Sequence, residues 1–220
     1  MTTEFEFINV DVDMATLVFA ENKLDKTPAT QGCDPATIAD AQFSYAPWQY
    51  LNPSQGACET FMLEGGLSVA ARAAGTPADP DLKPNALTPV FPGNQYLLIP
   101  SIDGIHVAWA DTLDSDSVAL ISPPPEVNPL TIAIDWYWGG ILIGVTGPIK
   151  PNETASFQLG QKLLFRPVTP EQEKALYAPS DLIGATPYIP RTTVLNVKAM
   201  FQMRGDQDYF YTFSPPSALS

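Results

Sequence analysis

The stretch "IAIDWYWGGILIGV", residues 132–145, decides how this chain folds. It holds two of the four tryptophans, one acid and a Gly-Gly pair. It could be a membrane-inserting segment, an aromatic ligand platform or the middle of a core. A membrane helix needs about 20 apolar residues without breakers. Here Asp135 and four glycines interrupt the run between Pro129 and Pro148. Gly-Gly instead suits a two-residue hairpin loop, because both positions can take positive φ. With Gly139 and Gly140 in the turn, Trp138 meets Ile141, Trp136 meets Ile143 and Ile134 meets Val145 on one face. That face is large and apolar, as a core-facing hairpin requires. The other face pairs Tyr137 with Leu142 and Asp135 with Gly144. Tyr137 and Asp135 either contact a polar ligand such as a sugar or cover the second face of an ordinary sheet.

Outward from the hairpin, strand-like runs recur at 4–12, 43–51, 67–72, 95–99, 104–110 and 117–121. The chain closes on a second hairpin, "TTVLNVKAMFQM" and "DYFYTF" about the turn "RGDQ". The first run sends Phe5, Phe7 and Asn9 to one face and Glu6, Ile8 and Val10 to the other. Residues 73–93 read as a long surface loop, and "SPPPEVNP" at 122–129 as a stiff extended connection. One turn of helix is expected at "DPATIADA", where Asp34 could cap and Pro35 fits the first helical position. A longer helix is expected from "TPEQEKALYA", with Thr169 as N-cap, Pro170 in the first turn, Gln172 completing a capping box, and an end by Pro179. The expected fold is all-β: an antiparallel β-sandwich with long Pro-rich loops and one short helix, forming a single domain over residues 1–220.

Composition agrees. Hydrophobic residues make up 45% of the chain and charged ones 16%, which supplies a core and argues against disorder. The 23 prolines are about twice ordinary usage and favour short strands joined by stiff loops. A net charge of −13 argues against nucleic acid and against docking on anionic lipid. The start "MTTEFEFINV" has acids where a secretory signal carries basic residues. A cytoplasmic protein is therefore expected, or one exported without a classical signal peptide. Cys33 and Cys58 make no disulfide framework and are expected as free thiols.

Little of the sequence suggests catalysis. His106 is the one histidine, and the alternation of Ile105, Val107 and Trp109 toward the core turns it outward. No nucleophile elbow, paired-histidine metal motif or CxxC spacing is present. "DTLDSD" places Asp111, Asp114 and Asp116 in one loop, a candidate calcium site through which a lectin could hold sugar hydroxyls, although the spacing is not that of an EF-hand. Trp48 is the candidate aromatic platform beside them. Arg204-Gly205-Asp206 spells a cell-adhesion tripeptide, and its glycine and aspartate are equally what a hairpin turn needs.

"YLLIPSIDGIHVAWADTLDSDSVALI", residues 96–121, resembles the central signature of the AidA/PixA inclusion-body proteins, carried here by Leu98, Gly104, Ile105, Val107, Trp109, Thr112, Leu113 and Val118. The opening "INVDVDMATLV" is similar to that family's first strand, and "LNVKAMFQMRGDQDYFYTFSPPSAL" to its last hairpin. In the tail Phe213 and Ser214 stand where the family has Trp and Asp. The resemblance covers about a third of the chain and has no counterpart for residues 122–190. It implies a bacterial all-β sandwich without established catalysis, associated with intracellular inclusions and with sugar binding as the most plausible role. The sequence thus favours a non-catalytic, self-associating glycan-binding protein with Asp111, Asp114, Asp116, Trp48, Tyr137 and Asp135 as contacts. The alternative is a storage or structural inclusion protein with no ligand site, whose partner is a second copy of itself.

Overall fold

A computed structural model describes residues 3–10, 14–24, 43–79, 82, 86–190, 196–204 and 208–217. Seventeen strands run through them. In chain order they are β1 (Thr3–Asn9), β2 (Ala15–Asn22), β3 (Phe43–Tyr45), β4 (Gln49–Leu51), β5 (Cys58–Leu63) and β6 (Leu67–Ala73). Next come β7 (Thr88–Pro89), β8 (Asn94–Ser101), β9 (Gly104–Thr112), β10 (Val118–Ile121), β11 (Ile132–Trp138) and β12 (Ile141–Ile149). The last are β13 (Thr154–Phe157), β14 (Leu159–Val168), β15 (Thr186–Tyr188), β16 (Asn196–Arg204) and β17 (Asp208–Ser214). They form a sheet of order β17-β16-β1-β5, a nine-stranded sheet of order β13-β10-β8-β9-β6-β11-β12-β3 with β7 added on β6, and a sheet of order β15-β14-β2-β4. The all-β, sandwich-like architecture expected from the sequence is present. The cell-adhesion turn, Cys33 and the helical turn at 34–41 lie outside the described residues, except that Arg204 ends β16 opposite Asp208.

One apolar cluster joins residues of all three sheets, and aromatic rings do much of the joining. Phe5 stacks on Phe61 within its own sheet and meets Tyr188 of the neighbouring sheet edge-on at 5.6 Å. Phe213 stacks on Tyr188 at 4.4 Å, and Phe165 meets Phe213 at 5.0 Å. Such offset and edge-on ring pairs contribute beyond their buried area. Phe5 and Phe7 point into this cluster, while Glu4 is exposed and Glu6 half-buried, so the period-2 alternation sets the facing of β1.

The β11–β12 hairpin forms as the sequence predicts, with Gly139 (φ 59°) and Gly140 (φ 82°) in its turn. Trp138 pairs with Ile141 and Tyr137 with Leu142, as read. Beyond them a bulge at Ile143 shifts the ladder: Trp136 faces Gly144, Asp135 faces Val145 and Ile134 faces Thr146. A glycine inside a strand is the signature of a bulge or close approach. Here the Phe43 ring occupies the space a Cβ on Gly144 would need.

The expected helix after Thr169 is replaced by a single 3-10 turn over Pro170–Gln172. Gln172 does accept the Thr169 N–H at 3.2 Å, so the reach-back half of the box is real. Extension fails because Tyr177 is wanted in the core. Its backbone exchanges two hydrogen bonds with Tyr45, at 2.7 and 2.8 Å, and its ring packs edge-on against Phe19. Its hydroxyl accepts the Lys174 N–H and donates to the Gln172 carbonyl, engaging groups that a helix would pair internally.

Candidate functional site

Both faces of β11 are buried, and this corrects the first of the expected site pairs. Tyr137 is 0% exposed and Asp135 2%, so neither can meet a ligand from solvent. Described residues that follow β6 cover Tyr137. Ala78, Leu82 and Leu87 pack on Tyr137, Leu142 and Ala46, and the Tyr137 hydroxyl donates to the Asp79 carbonyl at 2.7 Å. Asp135 accepts two hydrogen bonds from the Arg72 guanidinium, at 2.8 and 2.9 Å, and Arg72 also donates to the Thr76 carbonyl. Burial pushes the Asp135 carboxyl above its usual range, with Arg72 pulling it back and Asp79 adding to the rise. Burial, with the charges of Asp135 and Asp79, pushes the Tyr137 phenol up to about 12.

Trp48 is corrected in the same way. It is 3% exposed, stacked on Trp138 at 4.6 Å and set edge-on to Phe61. It is a core residue, not a platform.

The loop carrying Asp111, Asp114 and Asp116 is exposed, but its carboxylates are not gathered. Among the described residues no group of three or more His, Cys, Asp or Glu side chains could hold a metal ion. Asp111 uses Oδ1 to accept the N–H of its neighbour Thr112 at 2.8 Å, a local turn contact. The carboxylates expected to share a calcium ion are thus not brought together among the described residues. His106 is exposed as read, with Nε2 2.8 Å from the Ser101 hydroxyl.

What the sequence did not pick out is Trp109. It keeps the core-side facing assigned to it, since its Cα partner Tyr96 and the next inward pair, Leu98 and Val107, are buried or half-buried. Yet Trp109 is 62% exposed. β9 pairs with β6 at Ala71–Ile105 alone, so the far end of β9 runs past the part of the sheet that is covered. Alternation reports facing; it does not report where coverage ends.

Trp109 is also held in place. Its indole N–H donates to Asn94 Oδ1 at 3.1 Å, and Asn94 Nδ2 donates to the carbonyls of Phe91 and Pro92. The Phe91 N–H in turn donates to the hydroxyl of buried Tyr96. Gly93 (φ 78°) donates to the Ser117 carbonyl and accepts the Leu113 N–H, tying the 91–94 turn to the acidic loop. The result is an oriented, exposed indole at Trp109, with exposed Phe91 (64%) in the neighbouring 91–94 turn, which is tied to the loop that carries Asp114 and Asp116. Its parts are an aromatic face and hydrogen-bond acceptors.

The chain matches no family model, no curated protein and no solved structure. Among the described residues no helix is long and apolar enough to cross a membrane.

Proposed function

We propose that this protein is a non-catalytic, glycan-binding β-sandwich whose ligand stacks on Trp109. The observation that carries this reading is the pinned, exposed indole. An aromatic face oriented by Asn94 offers C–H contact to a sugar ring at little cost in side-chain ordering. Asp114 and Asp116, in the exposed loop that follows β9, are the candidate acceptors for sugar hydroxyls, whereas Asp111 pairs with Gln95 on the other face of the sheet. The resemblance of residues 96–121 to the AidA/PixA proteins supports a bacterial, cytoplasmic protein found in inclusions. On a glycan array the wild-type protein is expected to bind a defined subset of sugars equally with and without EDTA, and Trp109→Ala to lose that binding while melting as the wild type does. Equal binding by the variant would remove Trp109 from the site.

The second reading, assembly without a ligand, has its own observation. Leu97, Ile99 and Ile102 are exposed on and beside β8, and the partners of Leu97 and Ile99 on β9 and β10 are Ala108, Ile121 and His106. In a chain of net charge −13, a patch whose centre holds no acid is where two copies meet with least repulsion. Concentration-dependent sedimentation together with a blank glycan array would favour assembly over sugar binding.

A further inference from the structure

The last strand, β17, forms one edge of the β17-β16-β1-β5 sheet. A hydrogen bond between its neighbours fixes which of its backbone groups face outward. The Val10 N–H donates to the Phe201 carbonyl at 3.0 Å, so Phe201 turns its backbone toward β1. Backbone groups alternate in direction along a strand, so Met200 and Gln202 turn theirs toward β17. The unbroken register pairs those residues with Thr212 and Phe210. Tyr209, Tyr211 and Phe213 therefore hold their N–H and C=O groups out on the open edge. Among the described residues no strand pairs with that edge. The rings of the same residues anchor it. Tyr209 and Tyr211 pack on Phe201 at 5.9 and 4.7 Å, Phe213 on Tyr188 at 4.4 Å, and the Tyr211 hydroxyl lies 3.0 Å from Thr16 Oγ1.

Folded proteins blunt sheet edges with charges, prolines, bulges or very short strands. The other described edge strands conform: β3, β4 and β15 have 3 residues each, β13 has 4, and β5 carries Glu59. By contrast β17 runs 7 residues with no bulge and no proline, and Asp208 at its start is its one charge. In a chain of net charge −13, that edge is a line of low repulsion between copies. It is also self-complementary. When two β17 strands run antiparallel, only the register centred on Tyr211 sets Tyr211 against Tyr211 and Tyr209 against Phe213, so that every outward residue exchanges both of its bonds. The same register sets Phe210 opposite Thr212 and Asp208 opposite Ser214, so the acid of one strand does not meet its copy. We propose that β17 pairs edge to edge with β17 of a second copy of this chain, antiparallel about a twofold axis at Tyr211, which joins two four-stranded sheets into one. The pairing deepens the assembly reading and rests on it, through a surface other than the β8 face, and it does not depend on the glycan.

Amide hydrogen exchange of the wild-type chain, read by NMR, tests the pairing residue by residue. Between dilute and concentrated protein the amides of Tyr209, Tyr211 and Phe213 are expected to slow by about tenfold or more, while those of Phe210 and Thr212, already bonded to β16, stay unchanged. A disulfide trap checks the register, because Phe210 and Thr212 of two copies would face each other as a close, non-hydrogen-bonded pair. In a background of Cys33→Ser and Cys58→Ser, a mixture of the Phe210→Cys and Thr212→Cys proteins is expected to form the cross-linked heterodimer on oxidation, and each alone to stay largely uncross-linked. Phe210 and Thr212 are exposed, so these variants should fold as the wild type does. The trap should persist when Leu97→Asp is added to both partners. The proposal is overturned by exchange at the three edge amides that ignores concentration, by equal slowing at Phe210 and Thr212, by cross-linking of either variant alone as readily as the mixture, or by a trap that is lost with Leu97→Asp. Concentration-dependent sedimentation alongside any of these results would assign assembly to the β8 face and remove β17 from it.

Discussion

Trp136→Ala should destabilise the protein by about 3–5 kcal/mol, near the largest effect a single core substitution has. Trp136 is fully buried, stacked on Phe157 at 4.7 Å, and its indole N–H donates to Thr146 Oγ1 at 2.9 Å in a site closed to water. Truncation opens a cavity that Phe157 and Phe43 border on two sides, and it takes the donor from a buried hydroxyl. Trp136→Phe separates these contributions. It keeps a ring against Phe157 and loses the hydrogen bond, so its cost should fall to about 1–3 kcal/mol. Urea unfolding followed by far-ultraviolet circular dichroism measures both. A loss below about 1 kcal/mol for Trp136→Ala would place this residue outside a well-packed core.

Arg72→Met should cost about 3 kcal/mol at neutral pH, and the cost should shrink in acid. The substitution leaves the buried Asp135 carboxylate without its guanidinium. The low end of the range for broken buried pairs applies because part of Arg72 reaches solvent. The pH dependence follows from the raised Asp135 pKa. A carboxyl whose folded pKa lies above its unfolded value holds its proton more tightly when folded. Its contribution is fully present below the unfolded pKa and is lost as pH rises through the folded one. Removing Arg72 removes the hydrogen bonds and charge that hold this pKa down, so the window widens toward neutrality. The difference in unfolding free energy between variant and wild type should therefore be largest near pH 7 and smaller near pH 4, about the ordinary aspartate value. A pH-independent difference would mean that Asp135 does not titrate in the folded protein.

Neighbouring residues of one strand thus carry the two large effects, on opposite faces of the same sheet. Much of this was legible. Gly139-Gly140 announced the turn, and period-2 alternation on β1 and β11 gave the facing of Phe5, Phe7, Trp136 and Trp138. Gly144 was a visible signal of the bulge that moved Trp136 one residue along its partner. Tertiary pairing was not legible. Tyr177 reads as part of a helix until Tyr45, far away in sequence, offers its backbone. β1 lies parallel to β16, almost the whole chain away, and no local pattern specifies that. β14 hides behind Pro167, which argues against a strand, and behind Gly160, whose missing side chain makes room for the Glu21 carboxylate. The candidate site suffered most from this. Trp48 and Trp109 both lie among apolar residues in sequence, and only the reach of the neighbouring strands separates the buried one from the exposed one. Nor could spacing show that three aspartates in six residues fail to converge.

The ranking of the four tryptophans by reactivity, with and without sugar, tests the central claim most directly. Brief oxidation with N-bromosuccinimide followed by peptide mass spectrometry should modify Trp109 first, Trp138 more slowly, and Trp48 and Trp136 last, after unfolding. A glycan selected on the array should protect Trp109 and leave the order of the others unchanged. Early oxidation of Trp48 or Trp136, or a bound glycan that leaves Trp109 fully reactive, would contradict the account.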